Sequence, residues 1–432
     1  MASSYLSRSV TGQDTQTYTF SCWVKRSTTV GNANHYVFSH YADSNNRISL
    51  ALSNDTFTIY AAESGSTVYQ KTTNRLLRDT SAWYHIVAAV DTTQGTGSNR
   101  VRVYINGVEE TSFSTDTVPS QNATTPAAAT HYVGSYTSST NFLDGYMSHV
   151  AFVDGQQLTP TSFGETDSTS GIWKFKSPSG LSWGTNGFHL KFENSGALGT
   201  DSSGQGNTFA VNGNLKQSLD TPTNNHCTIN FNNNINGGLH EYGAQVLDGL
   251  GVSPYDVASS GTLGFNQGKW YWEWKWRLIG SGNQAAFVGI IDADIPIVQG
   301  GNPSKGVTYR PDSGSVRKDG SEVSSAYSGS ANDIFGMAFD MDAGTLKLHK
   351  NGTYFNSGNA VVTGIDLTKT YLPYIAPNGG STVSNIDMNW GDGFFGITPI
   401  TSAGSNGNGS LFEYDVPSGY YALNTKNLNT YG

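Results

Sequence analysis

The side chains able to do chemistry in this 432-residue chain are few and widely spaced. Nine histidines (His35, His40, His85, His131, His149, His189, His226, His240 and His349) include no H-x-H or H-x-x-x-H pair, and the two cysteines stand far apart, so the spacing of a zinc or iron site is missing. Glycoside hydrolysis needs two opposed carboxylates. There are nine glutamates, none in a paired strand motif. The two Asp-x-Asp pairs, Asp292/Asp294 and Asp340/Asp342, fall at expected strand ends, where aspartate caps turn backbone. Gly180-Leu181-Ser182-Trp183-Gly184 spells the nucleophile-elbow pattern, but Ser177-Pro178-Ser179 before it and Thr185-Asn186-Gly187 after it supply neither the strand nor the helix that an elbow needs. Gly280-Ser281-Gly282-Asn283-Gln284-Ala285 loosely matches a dinucleotide fingerprint. Strand-like Phe287–Ile291 follows it in place of a phosphate-binding helix, which predicts a hairpin turn. No catalytic residue is expected.

The sharpest pattern is aromatic. Trp270, Trp272, Trp274 and Trp276 alternate, so one strand projects all four from one face. Each ring can cover about 150–250 Å², and four exposed rings would exceed the apolar patch a monomer normally shows. Trp272 and Trp274 are therefore expected in a core, whereas Trp270 and Trp276 stand near the strand ends, where a ring can reach the rim. The opposite face, Tyr271, Glu273, Lys275 and Arg277, is expected to be wet.

Strands must position these residues. Charged residues are 13%, aromatics 12% and glycines number 51, which excludes both disorder and a coiled coil. Residues 17–26 carry Tyr18, Phe20, Cys22 and Val24 on one face, and 83–91 form a nearly continuous apolar run. Val101, Val103 and Ile105 alternate into Asn106-Gly107, a type I′ turn signal that Asn351-Gly352 repeats. Residues 142–153, 334–340, 345–350, 371–376 and 386–390 read as further strands. Thr159-Pro160-Thr161-Ser162-Phe163 allows one helical turn. The expected fold is all-β with very little helix: two tandem antiparallel β-sandwiches (jelly rolls), residues 1–219 and 227–432, joined by a polar linker at 220–226.

Net charge is −9, both halves are mildly acidic, and no basic stripe exists, so nucleic acid and anionic membranes are poor partners. Cys22 and Cys227 each sit in a strand-like stretch and read as buried free thiols. Neither a signal peptide nor a membrane-spanning run is visible.

The first half resembles laminin-G/pentraxin-like concanavalin A-type jelly rolls through Tyr18–Lys25, Trp83-Tyr84-His85-Ile86-Val87, Val103–Gly107 and Asp144-Gly145-Tyr146-Met147-Ser148-His149-Val150 leading into Leu158-Thr159-Pro160. Asp201-Ser202-Ser203-Gly204-Gln205-Gly206-Asn207 looks like a turn that this family usually places near the start of the domain. Its late position suggests a permuted order closed by a C-terminal strand, Phe188–Phe192. The resemblance also implies a rim calcium, with Asp201 and Asn207 as candidate ligands, although a turn held by its own hydrogen bonds is the expected reading. The second half resembles SPRY domains, which are binding modules, through Gly268–Glu273, Val288-Gly289-Ile290, Phe335–Asp340, Gly344-Thr345-Leu346, Asn351-Gly352 and Tyr371-Leu372-Pro373.

The tandem resembles structural proteins of tailed bacteriophages, especially from marine and cyanobacterial hosts, with Phe163-Gly164-Glu165, Asp220–Asn224 and Tyr421-Ala422-Leu423-Asn424 carrying the likeness. What it implies is a non-enzymatic virion surface protein, a tail fibre or receptor-binding component assembled in host cytoplasm. It would recognise host surface polysaccharide through loops at the sandwich ends, as a homo-oligomer or in many copies, docked on other virion proteins. The glycan-binding residues are not identified by the sequence. The alternatives are a structural capsid decoration or tail adaptor, and an enzyme that cleaves glycans.

Overall fold

Alternating apolar and polar residues become paired strands almost throughout. A computed structural model describes residues 4–29, 34–235, 239–248, 257–279, 285–298, 302–378 and 383–432. The chain forms two compact units, Met1–Gln217 and Ser218–Gly432.

The strands of the first unit are β1 (Tyr5–Val10), β2 (Thr17–Arg26), β3 (Asn34–Asp43), β4 (Asn46–Ser53), β5 (Thr56–Glu63), β6 (Ser66–Thr73), β7 (Trp83–Asp91), β8 (Val101–Ile105), β9 (Val108–Glu109), β10 (Phe113–Thr117), β11 (Ala129–Val133), β12 (Gly145–Asp154), β13 (Gly164–Thr166), β14 (Trp173–Phe175), β15 (Phe188–Leu190) and β16 (Ala210–Asn212). An eight-stranded sheet, β10-β6-β5-β4-β3-β11-β1-β16, packs on a six-stranded sheet, β15-β12-β2-β7-β8-β9. Tyr18, Phe20, Cys22 and Val24 of β2 point into the core between them, against Phe38, Leu50 and Ile59. The nearly continuous apolar run of β7 has a physical cause. Ile86, Ala88 and Val90 face that core, while Val87 and Ala89 face a second cluster with Phe163, Leu158 and Trp183, which covers the outer face of the six-stranded sheet. Asn106 and Gly107 take positive φ, as the hairpin between β8 and β9 requires. The helical signal at Thr159 becomes a single 3₁₀ turn, Pro160–Ser162. The closing strand is present but ends at Leu190, and it pairs with β12 at the sheet edge. Phe192 sits at φ +60°, which breaks the extended run expected to reach it.

The second unit has β17 (Ile229–Ile235), β18 (Leu239–Glu241), β19 (Val246–Asp248), β20 (Ala258–Gly261), β21 (Lys269–Ile279), β22 (Ala285–Asp292), β23 (Gly306–Arg310), β24 (Ser315–Lys318), β25 (Ser321–Ser324), β26 (Ile334–Asp340), β27 (Thr345–Lys350), β28 (Thr353–Tyr354), β29 (Tyr371–Asn378), β30 (Val383–Asn389), β31 (Phe394–Phe395), β32 (Thr398–Pro399), β33 (Tyr421–Ala422) and helix α1 (Thr425–Tyr431). One sheet runs β17-β20-β29-β22-β23-β24-β25. The other runs β18-β19-β30-β21-β26-β27-β28, with β33 added in parallel on β21. Among the described residues α1 is the one α-helix, so the all-β, jelly-roll-like architecture stands.

Four expectations need correction. All four tryptophans of β21 are core residues, Trp270 and Trp276 included. The opposite face is not wet throughout: Tyr271 and Glu273 are fully buried, and only Lys275 and Arg277 stay half-exposed. The reason is a distant segment. Phe412, Val416, Tyr420 and Ala422 fold back over Tyr271 and Ala338 in a separate apolar cluster. Third, Cys227 precedes β17 and lies outside any strand, although both cysteines are buried thiols. The stretch expected as a linker packs within the second unit. Thr221 and Asn224 bridge each other, the Asn225 amide donates to Thr425 Oγ1, and the Cys227 amide donates to the Leu423 carbonyl.

Candidate functional site

Outward positions of the eight-stranded sheet in the first unit alternate large rings with small residues. Register places Tyr41 opposite Arg47, Ser39 opposite Ser49 and Tyr36 opposite Ala51 across β3 and β4. Across β4 and β5 it places Ser49 opposite Tyr60 and Arg47 opposite Ala62. Period-2 geometry puts Ser39, Tyr41, Arg47, Ser49, Ala51, Tyr60 and Ala62 on one face, and the register shift between Tyr36 and Phe38 brings Tyr36 to the same side. Tyr136 joins them from the loop after β11, held by Ser39 Oγ, which donates to the Tyr136 carbonyl at 2.6 Å. Its ring lies 4.5 Å from Tyr36 and 5.0 Å from Tyr41, and the Arg47 guanidinium lies 4.9 Å from the Tyr60 ring centroid. Further along the same sheet Tyr5 meets Tyr132 at 5.8 Å and Phe142 at 6.0 Å. These rings are half-buried. Burial raises the Tyr36 phenol, with Arg47 pulling the other way, and pushes Tyr136 up to about 12, so both are neutral hydrogen-bonding hydroxyls at ordinary pH. The chemistry this face offers is ring surface, hydroxyls that donate and accept, and one cation. Sequence reasoning missed it because the tyrosines come from β3, β5 and a loop some seventy-five residues later, and only sheet register gathers them.

The other candidates fall into structural roles. Asp201 Oδ1 accepts the amides of His189 (2.9 Å) and Ser203 (2.8 Å), and Oδ2 accepts Ser203 Oγ (2.8 Å) and the Asn207 amide (2.8 Å). Asn207 Nδ2 donates to the carbonyls of Thr185 and Gly187, both at 2.8 Å. Four donors occupy the carboxylate's lone pairs, and the turn does not fit a calcium ion. Among the described residues no three His, Cys, Asp or Glu side chains group as metal ligands. Asp201→Ala should therefore cost about 2–4 kcal/mol through its orphaned amides, whereas a chelator should leave the thermal midpoint of the native protein unmoved. Calorimetry with and without the chelator checks both outcomes.

Asp292 and Asp340 cap the amides of Asp294 and Asp342, and lysines pair with them: Lys369 with Asp292 and Asp294, Lys269 with Asp340. Gly180–Gly184 is irregular, with no elbow. The expected turn at 280–284 lies outside the described residues.

Two constellations invisible in the sequence look catalytic but are sealed. Ser21 Oγ lies 2.9 Å from His85 Nε2, and Trp173 Nε1 lies 2.9 Å from His85 Nδ1. Indole nitrogen only donates, so Nδ1 accepts and the neutral ring's proton sits on Nε2, donated to Ser21. His85 therefore has no lone pair left to activate that serine. It is stacked between Trp23 and Trp173 and held at about 3 by burial. In the second unit Gly352 N–H donates to His349 Nδ1, His349 Nε2 meets the Tyr271 hydroxyl at 2.6 Å, and that hydroxyl donates to Glu273 Oε1 at 2.9 Å. The amides of Glu413 and Tyr414 and Asn389 Nδ2 complete the carboxylate's partners. Burial nevertheless raises Glu273 to about 7. Tyr271, Glu273 and His349 are all at 0% exposure, which leaves no approach for a substrate.

Residues 2–162 match the family model of the concanavalin A-like lectin/glucanases superfamily. The strands β15 and β16, which lie beyond the matched stretch, still complete the two sheets of that unit. Among solved structures the chain is similar to the SPRY domain of human HERC1 (19% identity, 37% of this chain and 96% of that one, TM-score 0.31). It is also similar to the heptameric SAP-like pentraxin of Limulus polyphemus (17%, 36% and 71%, TM-score 0.27). Domain 4 of the arabinanase AbnA from Geobacillus stearothermophilus, solved with arabinotriose, is a further likeness (23%, 34% and 65%, TM-score 0.26). Similarity at this level carries no statement about function. No curated protein matches the chain.

Proposed function

We propose that this is a non-enzymatic glycan-recognition protein whose first unit binds sugar across the tyrosine face of its eight-stranded sheet. The carrying observation is the gathering of Tyr36, Tyr41, Tyr60 and Tyr136 around Arg47 on one accessible surface. Aromatic faces pack against sugar C–H surfaces, and phenols bond sugar hydroxyls. The lectin-like family match over residues 2–162 supports the reading. The sealed states of Glu273 and of the Ser21–His85 pair favour binding over hydrolysis. This reading places the sugar on a sheet face in place of the loops at the sandwich ends.

Each ring contributes on the order of 1–2 kcal/mol if it touches ligand. Tyr60→Ala and Tyr136→Ala should each weaken binding to a glycan array or to intact host cells about tenfold, with thermal unfolding nearly unchanged. Undiminished binding by both variants would sink the proposal.

The wider setting we propose is a tailed-bacteriophage virion, as a tail fibre or head decoration that displays many copies, so that weak sites act with high avidity. This part rests on the tandem resemblance alone. Antibody labelling of particles should mark the tail or capsid. A protein that co-purifies stoichiometrically with a capsid or tail component yet binds no host cell would instead be an adaptor.

A further inference from the structure

We propose that the tyrosine face selects an acidic sugar, a hexuronate whose carboxylate docks on Arg47; this rests on the glycan reading above and narrows its ligand class. The argument starts from how the first unit uses its arginines. Arg26 and Arg78 pair with Asp55, Arg75 with Glu110, and Arg102 with Glu109. Arg100 donates to the carbonyls of Gln94, Gly95 and Pro119, and Arg8 to Asn186. Arg47 differs from all of them. Among the described residues its guanidinium has no hydrogen-bond or ion-pair partner, and its contact is the Tyr60 ring at 4.9 Å.

The neighbouring carboxylates are already engaged. Asp43 accepts the Asn45 amide at 2.7 Å and Asn46 Nδ2 at 3.1 and 3.0 Å; these bonds, with a smaller contribution from the Arg47 charge, hold it below the usual carboxylate range. Glu63 accepts Thr124 Oγ1 at 2.7 Å. Five N–H donors in a planar fork therefore remain available on a half-buried side chain. Stacking on Tyr60 shields one face of the guanidinium and orients the fork. A guanidinium held this way matches a carboxylate with two parallel hydrogen bonds. Charge balance narrows the ligand further. One cation on a chain of net charge −9 suits one carboxylate per bound sugar and disfavours densely sulfated or phosphorylated chains, which the remaining surface repels. Beside the fork, Tyr41 stands directly across from Arg47 on β3, while Ser49 and Ala62, its small neighbours on the same sheet, are buried.

The test uses the full chain and calorimetric titration with three probes of equal length: galacturonate, neutral galactose and sulfated galactose oligomers. The expected result is a preference of at least tenfold for galacturonate over neutral galactose, which falls with added salt. Arg47→Gln should erase the preference, Arg47→Lys should restore part of it, and Tyr60→Ala should weaken both oligomers. Circular dichroism of Arg47→Gln should match the parent, since no hydrogen bond or ion pair is lost with the guanidinium. Equal affinity for acidic and neutral oligomers, or a preference that survives Arg47→Gln, overturns the assignment while leaving the glycan reading standing. Tighter binding of the sulfated oligomer also overturns it. If no oligomer binds and Tyr60→Ala changes nothing on host cells, the glycan reading itself falls.

Discussion

Lowering the pH from 6.5 to 4 should unfold the first unit while the second unit holds. Six histidines of the first unit are kept neutral chiefly by burial: His35, His40, His149 and His189 are depressed to about 4, His85 to about 3, and His131 lies well below its usual value. A base whose folded value lies below its unfolded one stabilises the fold above the unfolded value, near 6.5, and loses that contribution as pH falls. At pH 5 each ring costs about 2 kcal/mol, because unfolded imidazoles take up protons that the folded ones refuse. The five rings at about 3 to 4 together cost roughly 10 kcal/mol, and His131 adds in the same direction, which reaches the size of a whole domain's stability.

The second unit runs the other way. Burial raises Glu273 and Asp392 to about 7 each. A carboxyl raised on folding stabilises fully below its unfolded value and loses that contribution as pH climbs to 7. Acidification from 7 toward 4.5 therefore strengthens this unit, against an opposing contribution from His349, depressed to about 4. Hydrogen exchange separates the units peptide by peptide. Protection of β2 and β7 should collapse between pH 6 and 4, and that of β21 and β30 should persist. Unchanged protection of β2 at pH 4 would contradict the argument.

Trp272→Ala should cost about 3–5 kcal/mol, and Trp272→Phe under about 1 kcal/mol. The ring is fully buried, stacked 5.1 Å from Phe339 and within 6.1 Å of Phe265 and 5.8 Å of Trp390. Alanine removes that surface and leaves a cavity. Phenylalanine keeps most of the surface and removes an indole N–H that has no partner among the described residues, a gain that offsets the smaller ring. Urea unfolding of the full chain, followed by fluorescence, reads both variants. A sugar platform would behave differently, with lost binding at unchanged stability, and that outcome would return the tryptophan row to the surface.

Much of the fold was legible because strand signals are local. Tyr18–Val24 and Val101–Ile105 alternate within a few residues, and Asn106-Gly107 and Asn351-Gly352 declare their turns by the residue types that tolerate positive φ. The Asp-x-Asp pairs were readable as turn caps for the same reason. The polar face of β21 was misread because its cover, residues 412–422, lies some 140 positions away and carries no mark of its target. The candidate site escaped for a related cause. Tyr36, Tyr41, Tyr60 and Tyr136 look like ordinary strand and loop tyrosines until register aligns them.

By itself, then, the sequence determined the strands, the turns, the two halves and the lack of any local catalytic or metal motif, since all of these are encoded in spacings of two to five residues. Only the tertiary structure decided that Glu273 is buried, that Asp201 is consumed by its own turn, and that Arg47 has no hydrogen-bond or ion-pair partner among the described residues. Burial and partnership depend on which distant segments share a surface. In a protein built of antiparallel sheets those neighbours are set by long-range pairing, which no short window of residues contains.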